Sequence, residues 1–141
     1  LKRVGDFEIS VAAFPEKHPQ SISFDADMDF LKKKIDAGAT RAITQYFFDT
    51  EHYFRLLDLA ARHGISIPIV PGIMPVVNFT QAKKFSLMCG ASVPEWLEAK
   101  FFGLEEKPEE RFQVAVDIAV KQCRELIKAG VSHLHFYTLN R

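Results

Sequence analysis

The sequence predicts an α/β protein built on a parallel sheet, and three observations lead there. Short apolar, β-branched runs alternate with longer segments of helical periodicity. The runs are nearly continuous, as in strands covered on both faces. The intervening segments are long enough for the helical crossovers that parallel neighbours require. Four such steps fit either part of a doubly wound sheet or half of a (β/α)8 barrel. No glycine-rich dinucleotide fingerprint follows the first strand, which favours the barrel.

The elements follow in order. "FEISVAAF" (residues 7–14) reads as a buried strand that stops at Pro15. A proline-stiffened loop leads to a helix from about Asp25, with Met28, Leu31 and Ile35 at helical spacing and Gly38 at its end. "TRAITQYFF" (40–48) is the second strand. The next helix has Asp49 or Thr50 as its N-cap and stops at Gly64. "ISIPIVPGIMP" is a short third strand with internal prolines. Asn78 and Gly90 bracket a further helix, and a short one opens at Pro94. The long helix "PEERFQVAVDIAVKQCRELIKAG" carries one apolar stripe: Phe112, Ala115, Val116, Ala119, Cys123, Leu126 and Ile127. "SHLHFYTLN" (132–140) is the last strand. With 141 residues and no internal linker, residues 1–141 read as one domain.

Composition narrows the function. Lys plus Arg equal Asp plus Glu at 18 each, so no global field draws nucleic acid or an anionic membrane. No apolar run reaches the roughly 20 residues needed to span a bilayer, and no signal peptide opens the chain. A soluble cytoplasmic protein is expected, with a small molecule as partner. The chain starts on Leu1 rather than Met, a hint of processing. Cys89 and Cys123 have no metal-ligand spacing. His133 and His135 share a strand face without an evident third ligand, so no metal is expected.

In such folds working groups collect at the C-terminal ends of the strands. His18 lies in the loop after the first strand, and Asp27, Lys33 and Lys34 on the helix beyond it. As a set of residues these suit a solvated face or, with a basic pair near a histidine, a diphosphate. Gln45 is an amide in an otherwise core-like strand. A neighbouring strand or a ligand must meet its donor and acceptor ends. Gln81 and Phe85 are one helical turn apart and face the same way, which suits a flat heteroaromatic ligand or simple packing.

Taken together, "ISVAAFPEKHP", "AITQYFFD", "IPIVPGIMPVVNFTQAKKF" and "HFYTLNR" resemble methylenetetrahydrofolate reductase, in the family's order and over essentially the whole chain. The resemblance implies a TIM (β/α)8 barrel of which this chain covers roughly the last four βα units. It implies non-covalent FAD as cofactor, with NADH or NADPH reducing 5,10-methylenetetrahydrofolate to 5-methyltetrahydrofolate by ping-pong hydride transfer. Carried over residue by residue, Ala12, Phe14 and His18 line the FAD, and Asp27, Lys33 and Lys34 hold its ribose and diphosphate. Gln45 and Gln81 contact folate, with Gln45 near the flavin. Phe85 stacks on folate or nicotinamide, which makes Gln45 and Phe85 the residues closest to the chemistry. Arg141 reaches the substrate.

One departure stands out, because Phe14 occupies a position that is commonly tyrosine. Losing that hydroxyl costs about 0.5–1.5 kcal/mol if it bonds the cofactor. The resemblance also implies that the acidic residues beside flavin and folate belong to a missing first half, and that a helical stretch follows Arg141. A half-barrel by itself would then be inactive and would self-associate through its open edges. Family members form homo-oligomers, and the segments have a bacterial look.

Overall fold

The computed structural model describes residues 2–138. Four strands, β1 (Ser10–Ala13), β2 (Arg41–Tyr46), β3 (Ile69–Ile73) and β4 (His135–Phe136), lie side by side in chain order, all parallel. The crossovers carry α1 (Phe24–Asp36), α2 (Thr50–Arg62), and then α3 (Phe79–Cys89), α4 (Glu95–Phe101) and α5 (Pro108–Lys128). A doubly wound sheet reverses its strand order at a switch point. Here the order never reverses, which is how a (β/α)8 barrel is laid down.

Local chemistry sets the helix limits. Ser23 accepts a hydrogen bond from the Ala26 N–H at the start of α1 (3.1 Å), and Asn78 does the same for Gln81 at the start of α3 (3.0 Å). Gly90 ends α3 in the left-handed region, at φ 72°. Asp49 precedes α2 without capping it through its side chain; its carboxylate instead accepts from Trp96 Nε1 (2.8 Å).

Three apolar clusters hold the sheet to its helices. Ala13, Met28, Leu31, Ala42, Leu56 and Ala60 join β1 and β2 to α1 and α2. Phe47, Tyr53, Ile73 and Leu126 lock α2 and α5 together, with the Phe47 and Tyr53 rings stacked. The third cluster, around Tyr46, Met74, Val76, Leu97 and Phe101, brings α3 and α4 over the residues that follow β3. Full burial of one such side chain contributes about 1.5–3 kcal/mol.

Three sequence expectations need correction. The strands are not covered equally on both faces: β2 alternates between buried and half-buried residues, because helices cover one face only. The first strand is four residues long rather than eight, and the last is two among the described part of the expected 132–140; among the described residues each pairs on one side only, so the flanking apolar residues have no ladder to join. On α5 the buried residues are Ala115, Gln122 and Leu126, whereas Phe112, Val116 and Ile127 are exposed. The buried face is rotated from the apolar stripe because Gln122 is drawn inward: its Nε2 donates to the Phe47 carbonyl at 2.7 Å.

A β-bulge in β2 organises the middle of the sheet. The β2–β3 register shifts between Ile43 and Tyr46, leaving one extra residue on β2. Thr44 Oγ1 accepts from the Gly72 N–H (2.8 Å), taking the place of a ladder carbonyl. The Thr44 carbonyl is thereby freed and accepts from the Tyr137 hydroxyl (2.9 Å). Tyr137 crosses β3 directly over Gly72, where an added Cβ would stand 2.6 Å from the tyrosine ring and also strike the Thr44 carbonyl. Pro71, which has no N–H to donate, sits in β3 between the two registers.

Candidate functional site

A first candidate cavity opens at the C-terminal end of β1. Pro15 ends that strand, and residues 14–22 form a loop returning to α1. Lys17 holds a left-handed conformation, φ 74°, which a lysine adopts only when its surroundings enforce it. They do: Lys17 Nζ reaches the carbonyls of His18 and Ser21, and the His18 N–H donates to Asp27 Oδ2 at 2.6 Å. The Gln20 N–H donates to His18 Nδ1 (3.1 Å), so a neutral His18 ring carries its proton on Nε2. The His18 ring packs edge-on against Phe14, 4.6 Å between centroids.

On α1, Asp27, Phe30 and Lys34 fall on one face, since seven residues are close to two full turns. Lys34 donates to the Ala12 carbonyl (3.0 Å) and lies over the Phe30 ring (5.0 Å). Burial pulls the Lys34 pKa below 10.5, with Asp27 working against the shift. The cavity measures about 510 Å³, within the range that holds small ligands. Ala12, Phe14, His18, Asp27 and Lys34 all line it, joined by Ser21, Ala26 and Phe30, which the sequence reading did not single out. Lys33 points away from this face, is exposed and is not part of the lining. The signal that separates the two lysines was available in the spacing: position 34 is about 20° from Asp27 around the helix, and position 33 is about 120° out of phase.

A second, narrow cavity of about 30 Å³ sits at the ends of β3 and β4. Residues 74–78 form one wall, Gln81, Ala82 and Phe85 of α3 another, and Tyr137 and Thr138 a third. Tyr46 fixes α3 from beneath through a buried contact of its hydroxyl with Ser86 Oγ (3.2 Å), and burial raises its pKa. Tyr137 is the lining residue that sequence reasoning missed. Its placement depends on the β2 bulge, which nothing in the local pattern around Thr44 announces.

Gln45 stands between these two regions on β2 and lines neither cavity. Its Oε1 accepts from the Tyr46 N–H (3.0 Å), and among the described residues its amide nitrogen makes no hydrogen bond. Arg141 lies outside the described residues. Among the described residues no helix is long and apolar enough to cross a membrane, and no group of three or more metal-ligating side chains converges.

A strictly sequential parallel sheet of four strands, with cavities at the C-terminal ends of β1 and of β3 and β4, has the architecture of half a (β/α)8 barrel, with its cavities where such folds place their sites. A model of the methylenetetrahydrofolate reductase family matches residues 1–141, so the chain belongs to that family. It is 53% identical over its full length to the 5,10-methylenetetrahydrofolate reductase of Pectobacterium carotovorum subsp. carotovorum, covering 47% of that protein. To the Escherichia coli enzyme of the same name it is 51% identical, covering 48%. To methylenetetrahydrofolate reductase (NADH) 1 of Arabidopsis thaliana it is 34% identical, over 98% of this chain and 25% of that one. The chain thus spans about half the length of its bacterial relatives. Among solved structures, an uncharacterized Clostridium thermocellum protein that binds two copies of 5-methyl-5,6,7,8-tetrahydrofolic acid superposes on 93% of the chain with a TM-score of 0.61. The chain covers 46% of that protein, at 20% sequence identity, a likeness of fold.

Proposed function

We propose that this chain supplies half of a catalytic barrel that reduces 5,10-methylenetetrahydrofolate to 5-methyltetrahydrofolate, with FAD in the first cavity and NADH or NADPH as the reductant. The observation that carries this reading is the convergence of Ala12, Phe14, His18, Asp27 and Lys34 on one cavity. Bound FAD supplies hydride transfer between nicotinamide and folate, which occupy one site in turn.

The residues present fit that group. Lys34 is a desolvated cation whose nearest acidic neighbour, Asp27, is already engaged by the His18 N–H. An anionic diphosphate would give it a counter-charge. Asp27 keeps a second carboxylate oxygen for a ribose hydroxyl. Ala12 leaves room for a ring to approach, and Phe14 with His18 forms an aromatic wall. Lys33, from the outer surface of α1, adds positive charge near the diphosphate end. From between the two regions Gln45 offers its amide nitrogen, and in the second region Gln81 its side-chain amide, to the pterin edge. Phe85 provides the ring on which folate or nicotinamide stacks, and Arg141 contacts the substrate.

The test is the whole reductase carrying this chain. It is expected to purify yellow and to reduce methylenetetrahydrofolate with a nicotinamide donor. Gln45→Ala should lower kcat/KM for folate by about tenfold or more, the scale of losing a well-placed polar contact in a dry site, with flavin content unchanged. Unchanged folate kinetics would reject the folate assignment.

A second reading is favoured by the outer edges of β1 and β4, which have no strand partner among the described residues, and by the exposed apolar residues of α5. In it, residues 1–141 alone are inactive and self-associate. Light scattering and flavin absorbance separate the two: a colourless dimer supports association, and a yellow, active monomer rejects it. In the whole reductase the strand edges would pair with the other half of the barrel, and the exposed apolar residues of α5 would contribute to a homo-oligomer.

A further inference from the structure

Glu16 belongs to neither cavity, yet it lies at the crossing of three segments. Its Oε2 accepts from the Ser92 N–H at 3.0 Å and stands 3.5 Å from His52 Nε2 on α2. Arg55 approaches His52 Nδ1 (2.9 Å) and donates to the Pro15 carbonyl (3.3 Å). If Arg55 donates to Nδ1, the His52 proton sits on Nε2, facing Glu16. The carboxylate is only 12% exposed, and its Oε1 is buried with no hydrogen-bond partner among the described residues. A buried, half-satisfied carboxylate detracts from stability, so packing alone gives no reason for it.

What Glu16 joins gives a reason. Glu16 is two residues before His18 in the loop that walls the first cavity. Ser92 is two residues after Gly90, the C-cap of α3, which carries Gln81 and Phe85. A second contact lies beside the first. The Gly90 Cα is seated so closely on Pro19 of the same loop that a Cβ would stand 2.7 Å from the Pro19 ring. The loop and the end of α3 are thus joined at two points, one polar and one steric.

We infer that Glu16 is a positioning residue that clips the loop of the first cavity to α3, so that Gln81 and Phe85 are set relative to whatever that cavity holds. The inference rests on the functional reading above. A purely local role would alter affinity for FAD and nothing else. A clip transmits the change to the folate contacts even when FAD is saturating.

The experiment compares Glu16→Ala and Glu16→Gln in the whole reductase by FAD affinity, by folate kinetics at saturating FAD, and by hydrogen exchange of residues 79–92. Glu16→Ala is expected to raise the folate KM about fivefold or more, to change kcat less than about twofold, and to speed exchange at the end of α3. Glu16→Gln keeps an oxygen for the Ser92 N–H and should stay within about twofold of the parent. An unchanged KM with unchanged exchange in Glu16→Ala, or a Glu16→Gln as impaired as Glu16→Ala, overturns the clip. If Glu16→Ala does not fold, Ser92→Pro removes the donated N–H, while also fixing φ at that residue, and is read in the same way. A parent protein without flavin or reductase activity defeats the functional reading instead, and the exchange comparison then decides the clip alone.

Discussion

Lys33 and Lys34 differ by one position and by nearly everything that matters for binding. Lys34 is in phase with Asp27, touches the Ala12 carbonyl and lines the cavity, while Lys33 is in solvent. Lys34→Ala is therefore expected to weaken FAD binding about tenfold or more, as for loss of a charge-assisted contact, and Lys33→Ala less than about threefold. Titration of the apoprotein by flavin fluorescence checks this, and equal effects would mean that the diphosphate lies elsewhere. The same titration tests Phe14. Phe14→Tyr should tighten FAD about two- to tenfold if the ring edge faces the cofactor, the value of one hydrogen bond. At this scale the sequence was informative where chemistry is local. Asp27 and His18 met as a pair because a helix N-terminus and a proline-bounded loop leave few alternatives. Tyr137 was invisible for the opposite reason, since its partner is a carbonyl 93 positions away in sequence.

At the scale of elements, α3 was legible almost to the residue. Asn78 and Gly90 are the chemistry that starts and stops it, and both act locally. The buried face of α5 was not legible, because apolar periodicity gave no sign that Gln122 turns inward to the Phe47 carbonyl. The sheet interior makes a prediction of its own. Gly72→Ala should destabilise by about 2–3 kcal/mol, since the new Cβ meets both the Tyr137 ring and the Thr44 carbonyl. Tyr137→Phe, which keeps the ring, should cost about 1 kcal/mol. Denaturant midpoints measured at constant m-value decide between them, and a larger loss in Tyr137→Phe would contradict the steric account.

For the whole molecule, the alternation of helices and runs left two strand orders open; the missing glycine fingerprint and the family resemblance favoured the sequential one, and the sheet has it. Strand lengths did not follow, because they depend on neighbours. The three tyrosines of the chain, Tyr46, Tyr53 and Tyr137, all have pKa values raised by burial. A fold that favours the neutral phenol holds that stabilisation in full below the unfolded value, about pH 10, and loses it as pH rises through the folded values. Lys34 acts the other way, since its lowered pKa makes its charge a burden that alkali relieves, but it is one group against four, because burial also raises the Cys123 thiol. Stability is therefore expected to fall above about pH 10, with phenolate absorbance and loss of helix rising together. Full phenolate ionisation in a still-folded chain would refute the shifts.

The β2 bulge also bears on how the chain assembles. The Tyr137 hydroxyl finds its acceptor only when Thr44 has already given its side-chain oxygen to Gly72. A slip of one residue between β2 and β3 would turn Thr44 to the other face and leave Gly72 N–H and the tyrosine hydroxyl both unmatched. A segment synthesised after β2 and β3 thus depends on how those two have paired. Docking of Tyr137 is thereby coupled energetically to the correct register of the sheet.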